Sequence, residues 1–292
     1  MASFGSSFGV ERGFVARPPA TANLMIDSAD RPNPTTTTPF DFQITRQQSI
    51  LNGFFTRIAT TEVVLEWCET NVDGAITMDV SGSSSRQNVN FNFVGNFTME
   101  DLMNAFLTEY NTLPTGSSTN LRPVGTTLNL IYSDGYWGFD MSGGQFQFIS
   151  TPLGNKAGLQ IGGGLSVRQP INGCVDLRRY RYIDIVSSPL TYPQSLKDAS
   201  TQLVNRDVLC RWYMAEDTQE NLDGLGFPIL MGYQPFVRRR LFNPPKYIKW
   251  DNNLPVGNLS FQVYDENGNL LIPSNGVNNE TEWLMTLQVS EN

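Results

Sequence analysis

The 292-residue chain contains no histidine. Without imidazole, Ser-His-Asp and Cys-His catalysis, His-ligated zinc and the usual near-neutral protonation switch are all excluded. Charge is scarce too: 16% of residues are Asp, Glu, Lys or Arg, against roughly 25% in an average globular chain. The three cysteines, Cys68, Cys174 and Cys210, are odd in number and far apart. They match neither a disulfide framework nor a zinc ribbon and read as buried free thiols, which implies folding in a reducing compartment. No apolar run approaches the ~20 residues of a membrane span. The opening segment Met1 to Gly13, rich in Gly and Ser and carrying Glu11 and Arg12, does not resemble a signal peptide. The expectation is a protein that is not secreted.

In place of charge the chain carries Asn, Thr, Ser and Gln, with 25 Gly and 17 Pro. That mixture suits many short strands joined by turns and works against a helical bundle. Net charge is −8, which opposes general nucleic-acid binding. Its distribution is uneven: residues 166–250 hold 12 Lys/Arg and 8 Asp/Glu, while residues 251–292 hold none and 6. A basic stretch beside an acidic one permits complementary contacts, within the chain or between copies of it.

Residues 1–39 read as an extended arm, punctuated by Pro18, Pro19, Pro32, Pro34 and Pro39. Leu24, Met25 and Ile26 form its apolar anchor, suited to adding to a sheet edge. From Phe40 the hydrophobic period becomes two, and Ile58–Trp67 alternates in the same way. Within residues 73–165 strand patterns surround one helix. Thr98 and Asp101 predict its capping box, and Leu102, Met103, Phe106, Leu107 and Tyr110 its apolar stripe. This segment is expected to be a small α+β module inserted into a β domain of residues 40–72 and 166–292. Strands are expected over Arg178–Val186, Asp207–Met214, Phe236–Phe242, Tyr247–Trp250, Leu259–Val263 and Trp283–Val289. Asn267-Gly268 predicts a type I′ hairpin turn. The fold class is therefore mainly β: a single jelly-roll sandwich with an inserted α+β module and an extended N-terminal arm.

Motifs for chemistry are few. Gly5-Ser6-Ser7-Phe8-Gly9 fits G-x-S-x-G, but no histidine is there to serve it. The Gly162–Gly164 run lacks the Lys-Ser/Thr of a phosphate loop and reads as a bend. Asp265–Gly268 lacks the later glutamate of a calcium loop. Carboxylate pairs such as Glu62 with Glu66, or Glu216 with Asp217, keep a glycosidase as the enzyme alternative. Two basic clusters stand out, Arg178, Arg179 and Arg181, and Arg238, Arg239 and Arg240. Inter-subunit ion pairs, solvated surface and nucleic-acid contact are three open readings of them. Tyr136, Trp137 and Phe139 are candidates for surface binding of a glycan, against the alternative that they form the core of the insert.

Two segments carry a resemblance. Ile26-Asp27-Ser28-Ala29-Asp30-Arg31 leads through a Pro/Thr linker to Phe40-Asp41-Phe42 and on to Trp67. Ile248-Lys249-Trp250, Pro255–Leu259 and Phe261–Asp265 follow near the end. Their order and spacing resemble the penton proteins of virophages, polinton-like viruses and related large DNA viruses. The resemblance implies an upright single jelly roll, five copies closing each icosahedral vertex, and an outward-projecting insert. It implies neighbouring double-jelly-roll major capsid proteins, and minor capsid proteins reached by the arm, as partners. It implies a virion location after folding in the host cell, with no cofactor, no metal and no catalytic residue. A minor capsid, spike or glycan-binding attachment protein of similar fold is the alternative.

Overall fold

The computed structural model describes residues 21–45, 57–83, 85–191, 208–214, 222–230, 232–245, 247–249, 257–274 and 281–291. Residues 1–20 of the expected arm, the carboxylates Glu216 and Asp217, and Trp250 lie outside them.

Eight strands build a sandwich. In chain order they are β1 (Thr21–Asp27), β2 (Asp41–Thr45), β3 (Arg57–Trp67), β10 (Tyr182–Val186), β11 (Val208–Tyr213), β12 (Phe236–Leu241), β14 (Asn258–Asp265) and β15 (Glu282–Ser290). A short β13 (Tyr247–Lys249) continues β12 alongside β3. One sheet runs β1-β15-β3-β12 and the other β11-β10-β14-β2, all pairs antiparallel. In strand rank this is first, eighth, third, sixth facing fifth, fourth, seventh, second. That interleaving of chain ends with chain middle is the connectivity of a jelly roll.

Period-two alternation explains the packing. Val63, Leu65 and Trp67 of β3, Phe261 and Val263 of β14, and Trp283, Met285 and Leu287 of β15 turn into one core between the sheets. Phe42, Phe261 and Trp283 form a ring cluster with centroids 5.5 to 5.7 Å apart. The indole of Trp283 donates to the Pro39 carbonyl at 2.8 Å, which ties the Pro/Thr linker to the core. The anchor Leu24–Ile26 lies in β1, at the edge of its sheet beside β15.

Between β3 and β10 the chain forms β4 (Val72–Gly82), β5 (Arg86–Gly95), α1 (Met99–Thr112), β6 (Thr127–Ser133), β7 (Tyr136–Ser142), β8 (Gly144–Ile149), α2 (Pro152–Lys156) and β9 (Arg168–Pro170). They give two three-stranded sheets, β5-β4-β8 and β6-β7-β9. Helix α1 starts at a capping box in which Thr98 and Asp101 bond reciprocally, as the sequence predicts. Its stripe of Leu102, Met103, Phe106 and Tyr110 enters a second core with Phe91, Phe139, Phe146 and Phe148.

This second core runs past residue 165 to Ile171 and Leu177 and takes in Tyr233 from the β11–β12 connection. Among the bonds that fasten that connection, the Trp137 indole donates to Leu225 O at 2.6 Å, and the Leu177 amide donates to the Tyr233 hydroxyl at 2.7 Å. Burial pushes the Tyr233 phenol up to about 12. The link from β3 to β4 is buried and polar. Glu69, 1% exposed, accepts from the Ser274 amide at 2.7 Å and from its hydroxyl, and Asn71 brackets Phe97 with bonds of 2.8 and 2.9 Å.

Three local expectations are corrected. The strand expected from Arg178 begins at Tyr182: Arg178 folds back on Asp176, and the Arg181 amide donates to the Glu266 carboxylate at 3.4 Å instead of to a neighbouring strand. Residues 152–156, where no element is expected, form α2, whose Thr151 cap and first-turn Pro152 start a helix too short to show a period. In the Asp265–Gly268 turn only Gly268 has positive φ, at 84°, and the Asp265 carboxylate accepts from the amides of Asn267 and Asn269. A type I′ turn needs positive φ at both central residues. Asp134 and Gly135, at 58° and 88°, provide that between β6 and β7.

Candidate functional site

The fold offers two broad surfaces, the outer faces of the sandwich sheets. On β1-β15-β3-β12 the outward positions follow from those that point inward. Glu62, Val64 and Glu66 alternate with buried Val63, Leu65 and Trp67 on β3. Register then places Val237, Arg239 and Leu241 of β12 beside Glu66, Val64 and Glu62. On the other side of β3, Glu282, Leu284 and Thr286 of β15 stand in the same rows, followed by Asp27 and Met25 of β1. Val237, Met25 and Leu241 are 71%, 66% and 62% exposed. An antiparallel sheet with one face in water normally shows polar residues there. This face instead mixes exposed apolar side chains with the carboxylates of Asp27, Glu62, Glu66 and Glu282 and the cations Arg57 and Arg239, and Arg31 reaches Glu282 at 3.8 Å.

The outer face of β11-β10-β14-β2 is aromatic and polar. Arg211 donates to both oxygens of Asp184 at 2.7 and 2.9 Å and lies 4.0 Å from the centroid of Tyr182. Asp184 is fully buried beneath it. Hydrogen bonding to Asp184 holds the Arg211 guanidinium above its ordinary range. Tyr182 and Tyr213 pack with centroids 5.7 Å apart, and Tyr213 is exposed. Tyr264, Gln262 and Asp41 continue as a hydrogen-bond chain toward β2.

The six arginines singled out in sequence do not form one patch. Arg239 pairs with Glu62 on the outer face, whereas Arg238 and Arg240 stand opposite the inward-pointing Leu65 and Val63. Arg240 lies 5.0 Å from the Phe242 ring centroid. Arg178 holds Asp176 through two bonds of 2.8 Å. Burial alone would raise the Asp176 carboxyl, but Arg178 outweighs it and the shift is downward. Arg179 reaches Thr70 at 3.3 Å and Asp73 at 3.7 Å. Among the described residues the Arg181 side chain alone of the six has no hydrogen bond, ion pair or ring contact. It borders a cleft of about 550 Å³ with Lys156, Cys174, Asp176, Arg178 and Glu266. Cys174 is exposed rather than buried as expected, Cys68 is partly buried, and Cys210 is buried.

The aromatic trio divides as well. Phe139 is fully buried in the second core, so it is not a surface contact. Trp137 shares its side of the β6–β7 hairpin and packs 5.3 Å from Tyr132. Tyr136 leaves on the opposite side, under Arg168 at 5.6 Å. The residues that sequence reasoning missed are Val237, Leu241 and Met25. Their signal was present in Phe236-Val237-Arg238-Arg239-Arg240-Leu241, where alternation puts the two aliphatics on one side, but which side faces water depends on the pairing with β3. No group of three or more His, Cys, Asp or Glu side chains suited to a metal occurs among the described residues.

The architecture defines a jelly-roll protein with a large insertion between its third and fourth strands. No family model and no curated protein matches the sequence. Among solved structures, the chain is similar to the mavirus penton protein, with a TM-score of 0.51 at 11% identity, over 94% of this chain and 100% of that one. A chain from the Sputnik virophage structure aligns over 94% and 98% of the two lengths at 11% identity, with a TM-score of 0.44. The fold is thus that of the mavirus penton protein.

Proposed function

We propose that this chain is a structural capsid subunit, five copies of which close the five-fold vertices of an icosahedral virion. The observation that carries this reading is the likeness to the mavirus penton protein, which spans the sandwich and the insertion together. Composition supports it: a chain with 16% charged residues and no histidine is poorly equipped for catalysis but well suited to packing against neighbours. In this reading the second core, built mainly from residues 72–177, belongs to a module projecting from the sandwich. The flanks of the sandwich meet double-jelly-roll major capsid proteins, and the N-terminal arm reaches minor capsid proteins by strand addition. The protein then acts in the virion, as an assembly component and not as an enzyme.

The test is the native mass of the purified chain by multi-angle light scattering, with negative-stain images of the same peak. Five-fold rings of about five times the 32.6 kDa chain mass are expected. A stable trimer overturns the vertex role in favour of a spike.

A further inference from the structure

Asn, Gln, Ser and Thr stand in for charge in this chain, and the insertion gathers them around a cleft. On β5 the alternation turns Val89 and Phe91 into the second core and leaves Asn88, Asn90 and Asn92 exposed on the other side. Register sets Asp79 of β4 opposite Asn88 and Thr77 opposite Asn90. Strand β5 is the edge of its sheet, and the loop after α1 runs beside that edge. The loop closes on itself where the Gly116 amide donates to Arg122 O and the Arg122 amide to Pro114 O, both at 3.0 Å. It is held to the strand where the Asn120 amide donates to Asn88 O at 3.2 Å and Gln87 Nε2 donates to Gly116 O. Between strand and loop lies a cleft of about 460 Å³ lined by Asp79, Arg86, Gln87, Asn88, Ser117 and Thr119.

We propose that this cleft binds a neutral saccharide. Its charges select against ions. Arg86 Nε donates to both oxygens of Asp79 at 3.1 Å, so the two ionised groups of the lining cancel each other. A metal ion calls for carboxylates free of a cation, and a phosphate or carboxylate calls for cations free of a carboxylate. The lining offers neither. What it offers is neutral: the side chains of Asn88, Ser117 and Thr119 are exposed and form no hydrogen bond among the described residues. Amides and hydroxyls both donate and accept, as sugar hydroxyls do, and the Arg86 side chain, 60% exposed, adds its remaining N–H donors. Gln87 Oε1 is buried without a hydrogen-bond partner among the described residues, a cost that a donor bound beside it relieves. Beyond the cleft Asn90 and Asn92 continue the amide row, which suits a short chain of sugars. A protein partner fits less well, because the centre of a protein interface is apolar and aromatic, and the exposed aliphatic Val94 stands at the far end of β5. No aromatic ring lines the cleft, so binding rests on hydrogen bonds exchanged with water and a single site is weak. The inference concerns one chain and does not rest on the five-fold reading.

The test is saturation-transfer NMR on the full chain. The probes are neutral trisaccharides of glucose, mannose, galactose and N-acetylglucosamine at millimolar concentration, with 3′-sialyllactose as the anionic comparison. Saturable transfer to at least one neutral trisaccharide is expected. Asn88→Ala with Thr119→Val, both at exposed positions, should weaken it about tenfold with unchanged circular dichroism. Tyr136→Ala, which alters the aromatic surface of the β6–β7 hairpin, should leave it unchanged. No saturable transfer to any neutral trisaccharide overturns the proposal. Binding that survives Asn88→Ala with Thr119→Val, or that is lost in Tyr136→Ala, overturns the cleft as its site. Tighter binding of 3′-sialyllactose than of every neutral probe overturns the ligand class. The ring mass is read separately, so failure here and failure of the vertex role are distinguishable.

Discussion

At Asp79 on β4, single side chains show how this low-charge chain uses the charges it has. The carboxylate accepts from Arg86 Nε at 3.1 Å, from Arg86 Nη2 at 2.5 Å and from Gln147 Nε2 at 3.0 Å. Hydrogen bonding to Arg86 lowers the Asp79 carboxyl from its ordinary range, against the opposing effect of burial. A lowered folded-state value means the bonds stabilise the fold above the unfolded aspartate range, near 3.9, and are lost as pH falls through the depressed value. Asp79→Asn should therefore cost about 1 kcal/mol near pH 7, an amount kept small by the solvent exposure of Arg86. The difference from the parent should begin to shrink below about pH 4 and close as the pH falls past the depressed value. Urea unfolding at a series of pH values checks this, and a gap that persists into acid counts against it. Cys210 behaves differently: burial pushes its thiol up to about 12, which makes it an inert core residue.

Among elements, the least expected is the connection between β11 and β12, which crosses from the sandwich to the second core. Its hold is specific: the Glu100 amide donates to Asp223 at 2.9 Å, the Gly224 amide donates to Glu100 at 2.7 Å, and Trp137 bonds to Leu225 O. Trp137→Phe keeps an aromatic ring and removes the indole donor together with part of the ring area. Residues 222–233 should then lose hydrogen-exchange protection selectively, with β3 and β15 unchanged. Uniform loss across the chain would refute the clamp. This element also marks where sequence reading ends. Strands β2, β3, β14 and β15 were legible because hydrophobic alternation is local, and α1 because a capping box and an i, i+4 stripe are local too. The clamp was not, since Leu222 to Tyr233 shows no period and its partners lie more than fifty residues away. The candidate surface was half legible. The sequence of β12 shows Val237 and Leu241 on one side of a strand, but only the pairing with β3 makes that side the outer one.

For the whole molecule, the central fact is that the chain packs two cores rather than one. Phe261, Trp283 and Leu287 belong to the first, Phe106, Phe139 and Phe148 to the second, and what joins them is largely polar: Glu69 to Ser274, Asn71 to Phe97. Cores joined by hydrogen bonds share little apolar area, and buried apolar area is the main source of cooperativity. Each should therefore unfold as its own unit. Phe106 is fully buried against Phe91, Phe139 and Phe148. Phe106→Ala should cost the second core about 3–5 kcal/mol. In calorimetry of the full chain, one transition should move down in temperature and the other stay in place. If both move together, the polar junction couples the cores and the two-unit description fails.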